Sequence, residues 1–361
     1  MQRLAAAVAC IQQRAAARDE RAEFPAEEVA RLREAGILAA PLPIEGHGAG
    51  STSPKQLATM LATVGRASLP LGRILEAHIN ARHLIARYGT PEQRRAAADD
   101  AAAGHLFALW VTDPPDRGLR LRREGHSVRL DGGKMFCSAA GFATRAVVTA
   151  WTREQAAQML VVPLGQGEVV SPQPAPLAGM RAAATGAVDF SGCVVDREAA
   201  LGQPGDYLRE PTFSAGAWRG SAVALGGLCA IVEVMQGQLR DAGLLDDPHQ
   251  SARMGEALIA RETARSWVGR VARIAEQSDT DPAAVVAAVG LGRLAVEAAC
   301  LDAMQLAQRS LGLTAFRQGN PMERLCRDLA TYLRQPAPDM VLTEAAAWFG
   351  RQPVPAIVSV C

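Results

Sequence analysis

The sequence predicts an α+β chain, mostly α, in three parts. These are an N-terminal helical domain over residues 1–105, a middle β-barrel or sandwich domain over 106–205, and a C-terminal four-helix bundle over 206–361. Ala-rich segments with apolar residues three and four apart fill both ends of the chain. Between them, from Phe107 to about Gly202, the apolar period falls to two and turn residues recur. A chain of 361 residues can bury a sizeable core, and its length suits two or three sub-domains.

In FPAEEVARLREAGILAAPLP, Pro25 stands where a helix can begin, Val29, Leu32 and Ile37 fall near one face, and Gly36 reads as a cap. The breaker-rich loop PLPIEGHGAGSTSP follows, then a helix through SPKQLATMLATVGRAS. LEAHINARHLIARYG and TPEQRRAAADDAAAG continue the helical run. The second opens with Thr90 as N-cap, Pro91 in the first turn and Glu92 against the helix dipole. In the middle, HSVRLDGGKMF alternates, and Asp131-Gly132-Gly133 predicts a hairpin turn. RAVVTAW, MLVVPL, VVSPQP and GAVDFSGCVV add short strands. From Trp218 four helical patterns return, the last being RLCRDLATYLRQ. Their apolar stripes call for packing on one another and on a second subunit.

Composition removes several function classes. With 38 basic and 37 acidic residues dispersed along the chain, nothing argues for nucleic acid or an anionic membrane as partner. Only 4% of residues are aromatic, a poor basis for a base-stacking groove. No apolar run approaches the ~20 residues that span a bilayer, and MQRLAAAVACIQQRAAARDE lacks a signal-peptide layout. A soluble, cytoplasmic protein is the expectation. The seven cysteines never form a CxxC pair and the six histidines show no ligand spacing. Reduced, mostly buried thiols and no metal are therefore expected.

Six short stretches then occur in a telling order. FPAEEVARLREAGILAAPLP with GHGAG is followed by HLIARYGTPEQR, WVTDPP, DGGKMFCSAAG, GMRAAATGAVDF, and MQLAQRSLG with PMERLCRD. In this order the chain resembles the acyl-CoA dehydrogenase superfamily from end to end. The resemblance implies an FAD-dependent oxidoreductase acting on a small-molecule acyl substrate, carried as a coenzyme A or carrier-protein thioester. It also implies a homodimer or homotetramer.

A flavin ring needs apolar cover on its faces and a few donors at its polar edge. The resemblance puts Thr112 at the strand end that supplies donors, Phe136 against the ring and Ser138 near N5. Without it, these are a turn threonine and two ordinary hairpin residues. Gln308 and Gly312, in AQRSLGLTAF, fall where the family's bundle meets the pyrophosphate of a partner's cofactor. Helix termination at Gly312 is the other reading. The chain departs from the pattern at Leu311, where a glycine is usual, and near Arg240, which has no phenylalanine after it. Pro115, Asp116 and Arg117 replace the small residues of the family's phosphate loop. Arg117 either binds phosphate or is a solvated surface arginine.

The family takes an α-proton with a glutamate. Its usual position falls at or beside Pro336, and its alternative position falls at Arg219 and Gly220. Neither holds a carboxylate. Asp339 reads as the cap of a last helix and Glu344 as a solvated helix residue, while Arg334 and Gln335 could face a flavin or an anion. Three functions stay open: a dehydrogenase with a relocated base, a flavin monooxygenase or oxidase, and a non-redox descendant that has lost FAD.

Overall fold

The computed structural model describes residues 2–40, 52–172, 176–277 and 280–353. Most of the breaker-rich loop, the end of VVSPQP and Cys361 lie outside the described residues. The chain runs α1 (Gln2–Glu20), α2 (Ala26–Glu34), α3 (Pro54–Ala67), α4 (Leu69–Tyr88) and α5 (Pro91–Ala103). The strands are β1 (Phe107–Trp110), β2 (Arg120–Glu124), β3 (Ser127–Asp131), β4 (Gly133–Cys137), β5 (Arg145–Trp151), β6 (Ala157–Pro163), β7 (Val169–Pro172), β8 (Gly186–Asp189), β9 (Val194–Asp196) and β10 (Ala200–Leu201). Then come α6 (Thr212–Ala215), α7 (Ala217–Asp241), α8 (Pro248–Ala275), α9 (Pro282–Leu311), α10 (Pro321–Tyr332) and α11 (Pro338–Gly350). Two compact units result: residues 1–52 with 70–209, and residues 53–69 with 210–361.

The first unit holds α1, α2, α4, α5 and all the strands. The caps read from the sequence are present. Gly36 ends α2 at φ +76°, and Thr90 and Gln93 form a reciprocal capping box at the start of α5. Gln93 also donates to the carbonyls of Glu198 (2.7 Å) and Ala200 (2.9 Å), so the cap ties α5 to the strand edge at β10. Among the described residues, seven strands form one sheet, six in the order β10-β6-β5-β2-β3-β9 and β1 beside β5. β1 runs parallel to the first half of β5, while β2 meets only its end, at Trp151. A second sheet runs β4-β8-β7. Leu84 and Ile85 of α4 and Ala97 and Ala101 of α5 pack with Phe107, Val147, Met159 and Leu201, which places this core between helices and sheet.

The hairpin expected at Asp131-Gly132-Gly133 does not form. β3 pairs with β2 and β9, whereas β4 leaves for the other sheet and pairs with β8. The true hairpin is β2–β3, turning at Gly125-His126. Gly132 instead makes a corner at φ +97°, where an added Cβ would sit 2.6 Å from the Gly118 carbonyl oxygen. The signature of turn residues was right about a change of direction and wrong about which strands it joins.

The second unit gathers α3 with α6 to α11. The sequence reading placed α3 in the N-terminal domain; its packing partner is α7. A Cβ on Gly65 would lie 2.6 Å from the Val223 carbonyl oxygen, and one on Gly226 would lie 2.2 Å from that of Ala62. The two helices therefore touch backbone to backbone along a glycine seam. Thr212–Asp241 and Pro282–Phe316 are long and apolar enough to cross a bilayer by length and composition, contrary to the expectation that no run came near. In this fold Trp218, Val223, Leu228, Ile231 and Met235 of the first stretch are buried.

Candidate functional site

β1 ends at Trp110, and the chain passes through Val111, Thr112 and Asp113 before turning back. β4 runs alongside. The Met135 N–H donates to the Thr112 carbonyl (2.9 Å), and the Trp110 indole N–H donates to the Ser138 carbonyl (2.9 Å). Thr112, Phe136 and Ser138 are thus brought together on adjoining segments of the first unit. Beneath them lies Lys134, whose side chain is fully covered. Its ammonium donates to Asp113 Oδ1 (2.6 Å), Thr149 Oγ1 (3.0 Å) and the Val111 carbonyl (3.3 Å). Asp113 also accepts from the Leu119 N–H (3.1 Å) and the Trp151 indole (2.8 Å). Burial pulls the Lys134 ammonium below its ordinary pKa, and Asp113 opposes that pull.

Phe136 and Ser138 differ in kind. Phe136 takes φ +54° beside a register shift between Lys134 and Cys137, and its ring is 47% exposed. Ser138 is buried, yet its hydroxyl has no hydrogen-bond partner among the described residues. Past them the Ala139 and Ala140 N–H groups donate to the carbonyls of Ala183 (2.8 Å) and Ala184 (3.0 Å). Ala139, Met180 and Ala184 are also left-handed, at φ +57°, +59° and +45°. Four non-glycine residues in that region within two bonded segments mark a strained frame, of the sort found where a ligand is gripped. Arg117 is spoken for: it donates to Asp131 Oδ1 (3.2 Å) and Ser191 Oγ (2.9 Å) and so braces the Gly132 corner.

Gln308 and Gly312 belong to the second unit. Gly312 stops α9 with φ +56°, its N–H donating to the Gln308 carbonyl. The Gln308 side chain bonds Cys326, whose thiol burial pushes up to about 12 against that bond's opposing effect. The two positions assigned to the catalytic glutamate carry no carboxylate, and their backbone carbonyls are hydrogen-bonded. The Gly220 carbonyl accepts from the Tyr332 hydroxyl (3.2 Å), and the Pro336 carbonyl accepts from Arg293 (2.9 Å). Buried Arg219 donates to Glu276 (3.2 Å), which also takes the Trp218 indole N–H (3.2 Å). Arg334 is paired with Glu297 at 2.6 Å, and the Gln335 amide donates to the Tyr332 carbonyl (2.8 Å). Asp339 does not cap α11: Ala337 is the N-cap, without a side-chain bond, and Asp339 sits in the first turn. Glu344 is exposed, as read from the sequence.

Asp113, Lys134 and Glu276 were not singled out from the sequence. Asp113 and Lys134 stood inside WVTDPP and DGGKMF, and the available signal was a lysine at an inward position of a strand, which demands a buried anion. Glu276, at the end of α8, gave none.

The family profile for the acyl-CoA dehydrogenase N-terminal domain matches residues 3–105. A 3-sulfinopropanoyl-CoA desulfinase of Paraburkholderia xenovorans is 25% identical over 349 residues, covering 89% of this chain and 87% of that protein. Residues 3–105 thus carry the acyl-CoA dehydrogenase N-terminal domain, and the chain is similar to this superfamily along most of its length. Shorter matches include a desulfinase of the same name from Variovorax paradoxus, 32% identical over 35% of this chain, and the amino sugar nitrososynthase DnmZ of Streptomyces peucetius, 31% identical over 60%. The chain spans 33% and 56% of those two proteins. Among solved structures, butyryl-CoA dehydrogenase of Megasphaera elsdenii superposes with TM-score 0.85 at 17% identity, covering 97% of each chain. FMN-bound TdsC of Paenibacillus superposes with TM-score 0.84 at 20% identity, covering 98% of this chain and 99% of that one. The fold is therefore that of the acyl-CoA dehydrogenases.

Proposed function

We propose that this protein is a flavin-dependent oxidoreductase whose chemistry does not begin with α-proton removal by a carboxylate. One observation carries the reading: Gly220 has no side chain, Pro336 has only an apolar ring and Arg219 is a cation bonded to Glu276, so none of these positions can take a proton from carbon as a glutamate would. That disfavours simple α,β-dehydrogenation of a thioester and favours the oxygenase or oxidase alternative, in line with a nitrososynthase among its relatives.

The residues present suit a flavin. The hydroxyl of buried Ser138, without a partner among the described residues, offers one hydrogen bond to a polar edge, and the exposed Phe136 offers apolar cover. Both residues stand on the segment from Phe136 to Ala140, which with Met180 to Ala184 carries four left-handed non-glycine residues. Thr112, Phe136 and Ser138 would hold the flavin, which, reduced by an external two-electron donor, would supply the electrons for an O2-dependent oxygenation that releases the second oxygen atom as water. FMN is the expected form, because Leu311 replaces a phosphate-cradling glycine and FMN has no pyrophosphate to cradle. FAD, the family default, is the alternative.

A second reading keeps the thioester. The desulfinases among the relatives act, by name, on a coenzyme A thioester, so a reaction on such a substrate that needs no proton abstraction fits the same site. Anaerobic mixing of the flavin-loaded protein with saturated acyl-CoA esters tests both. No bleaching of the flavin is expected; rapid bleaching by one thioester would restore the dehydrogenase reading. As further proposals, the assembly is at least a homodimer and the setting cytoplasmic, to be checked by light scattering and by fractionation.

A further inference from the structure

We propose that Lys134 and Asp113 are positioning residues: an ion pair between a fully covered lysine and a partly buried aspartate that fixes the flavin-facing segments around Thr112 and from Phe136 to Ser138. The proposal rests on the flavin reading above. A lysine is almost never fully buried unless paired, and the three donors of Lys134 meet three acceptors, so the group is saturated. As a source of stability such a pair is doubtful. The lysine is fully desolvated and the aspartate partly so, and an apolar side chain of similar volume often does as well. What the pair does supply is geometry. Its donor stands on β4, in the three-stranded sheet, while its acceptors stand at the exit of β1 and on β5, in the seven-stranded sheet. Asp113 adds Leu119 and Trp151, closing the whole loop from Val111 to Leu119 onto one carboxylate.

Strand periodicity shows why that anchor matters. Phe136, two residues after Lys134, would share its inward face in a regular strand. The register shift and the left-handed φ of Phe136 turn the ring outward instead. Such a conformation persists only when its neighbours over-determine it. Lys134 pins the chain just before the shift, and the bonds from Ala139 and Ala140 to Ala183 and Ala184 pin it just after. Thr112 is held between two members of the hub, Val111 and Asp113.

The test uses full-length protein carrying Lys134→Met, Asp113→Asn or Asp113→Glu. FMN titration followed by visible circular dichroism reads the site, and amide hydrogen exchange without flavin reads the frame. Lys134→Met and Asp113→Asn should keep the far-ultraviolet spectrum yet weaken FMN binding about tenfold or more and change its visible dichroism, because a site loosened by about 1 Å loses that much. Exchange should accelerate from Met135 to Ala140 and stay unchanged in β6. Asp113→Glu, which keeps the carboxylate, should bind within about threefold of the parent. Unchanged FMN affinity and unchanged exchange in Lys134→Met would overturn the proposal. Should that variant fail to fold, Asp113→Asn decides by the same two readings. If the parent protein binds no flavin, the functional reading fails, and exchange alone decides whether this pair sets the frame.

Discussion

Ser138 and His78 show two different things a buried polar group can do. The Ser138 hydroxyl bonds nothing among the described residues, so Ser138→Ala should cost less than about 0.5 kcal/mol of stability. The same change should weaken flavin binding several-fold and shift its visible bands, which titration with FMN would show. His78 is satisfied instead. Its Nε2 hydrogen faces the Leu38 carbonyl at 2.8 Å and its Nδ1 accepts the Phe107 N–H at 3.1 Å, so a second proton has nowhere to go. Burial first, and then the nearby Arg82 charge, hold its pKa at about 4, with the Leu38 bond opposing them. The unfolded chain takes up a proton near pH 6.5 and the folded one does not until about pH 4. Stability contributed by neutral His78 is therefore full above pH 6.5 and is lost as pH falls toward 4, by on the order of 3 kcal/mol. Urea midpoints at several pH values should fall across that window in the parent protein and fall less in His78→Gln. The resemblance already pointed Ser138 toward a flavin, whereas nothing in the sequence singled out His78; only three-dimensional neighbours tell a satisfied group from an unpartnered one.

At the scale of elements, helices were legible because their signals are local. Thr90, Pro91 and Gly36 act where the sequence put them, and the long apolar stripes became α7, α8 and α9. Pairing was less legible, since it is decided across the chain. Asp131-Gly132-Gly133 looks like a hairpin turn but serves as a corner between sheets. The glycine seam between α3 and α7 reads in sequence only as two scattered glycines. It makes a sharp prediction. Gly226→Ala forces a methyl group against the Ala62 carbonyl and should cost about 3 kcal/mol or more, seen as a lower thermal midpoint. Gly237→Ala, on the same helix with nothing within 4 Å of the new carbon, should instead add roughly 0.5–1 kcal/mol.

For the whole molecule, six short motifs in order were enough to recover the superfamily and its fold, because order and spacing survive when individual residues change. The reaction is a different matter. It turns on a few side chains, and here the informative ones are those that departed: Gly220 and Pro336 where a glutamate was due, and Leu311 where a glycine was due. Fold does not fix chemistry: the same architecture carries proteins named for butyryl-CoA dehydrogenation and nitrososynthesis, and a sequence relative is named for desulfination. The measurement closest to the centre of these arguments is a visible-absorbance titration of the purified protein with FMN and, separately, FAD. Saturable flavin bands at about one FMN per chain, with FMN bound more tightly than FAD, are expected. A colourless protein that takes up neither flavin would contradict the proposed function outright.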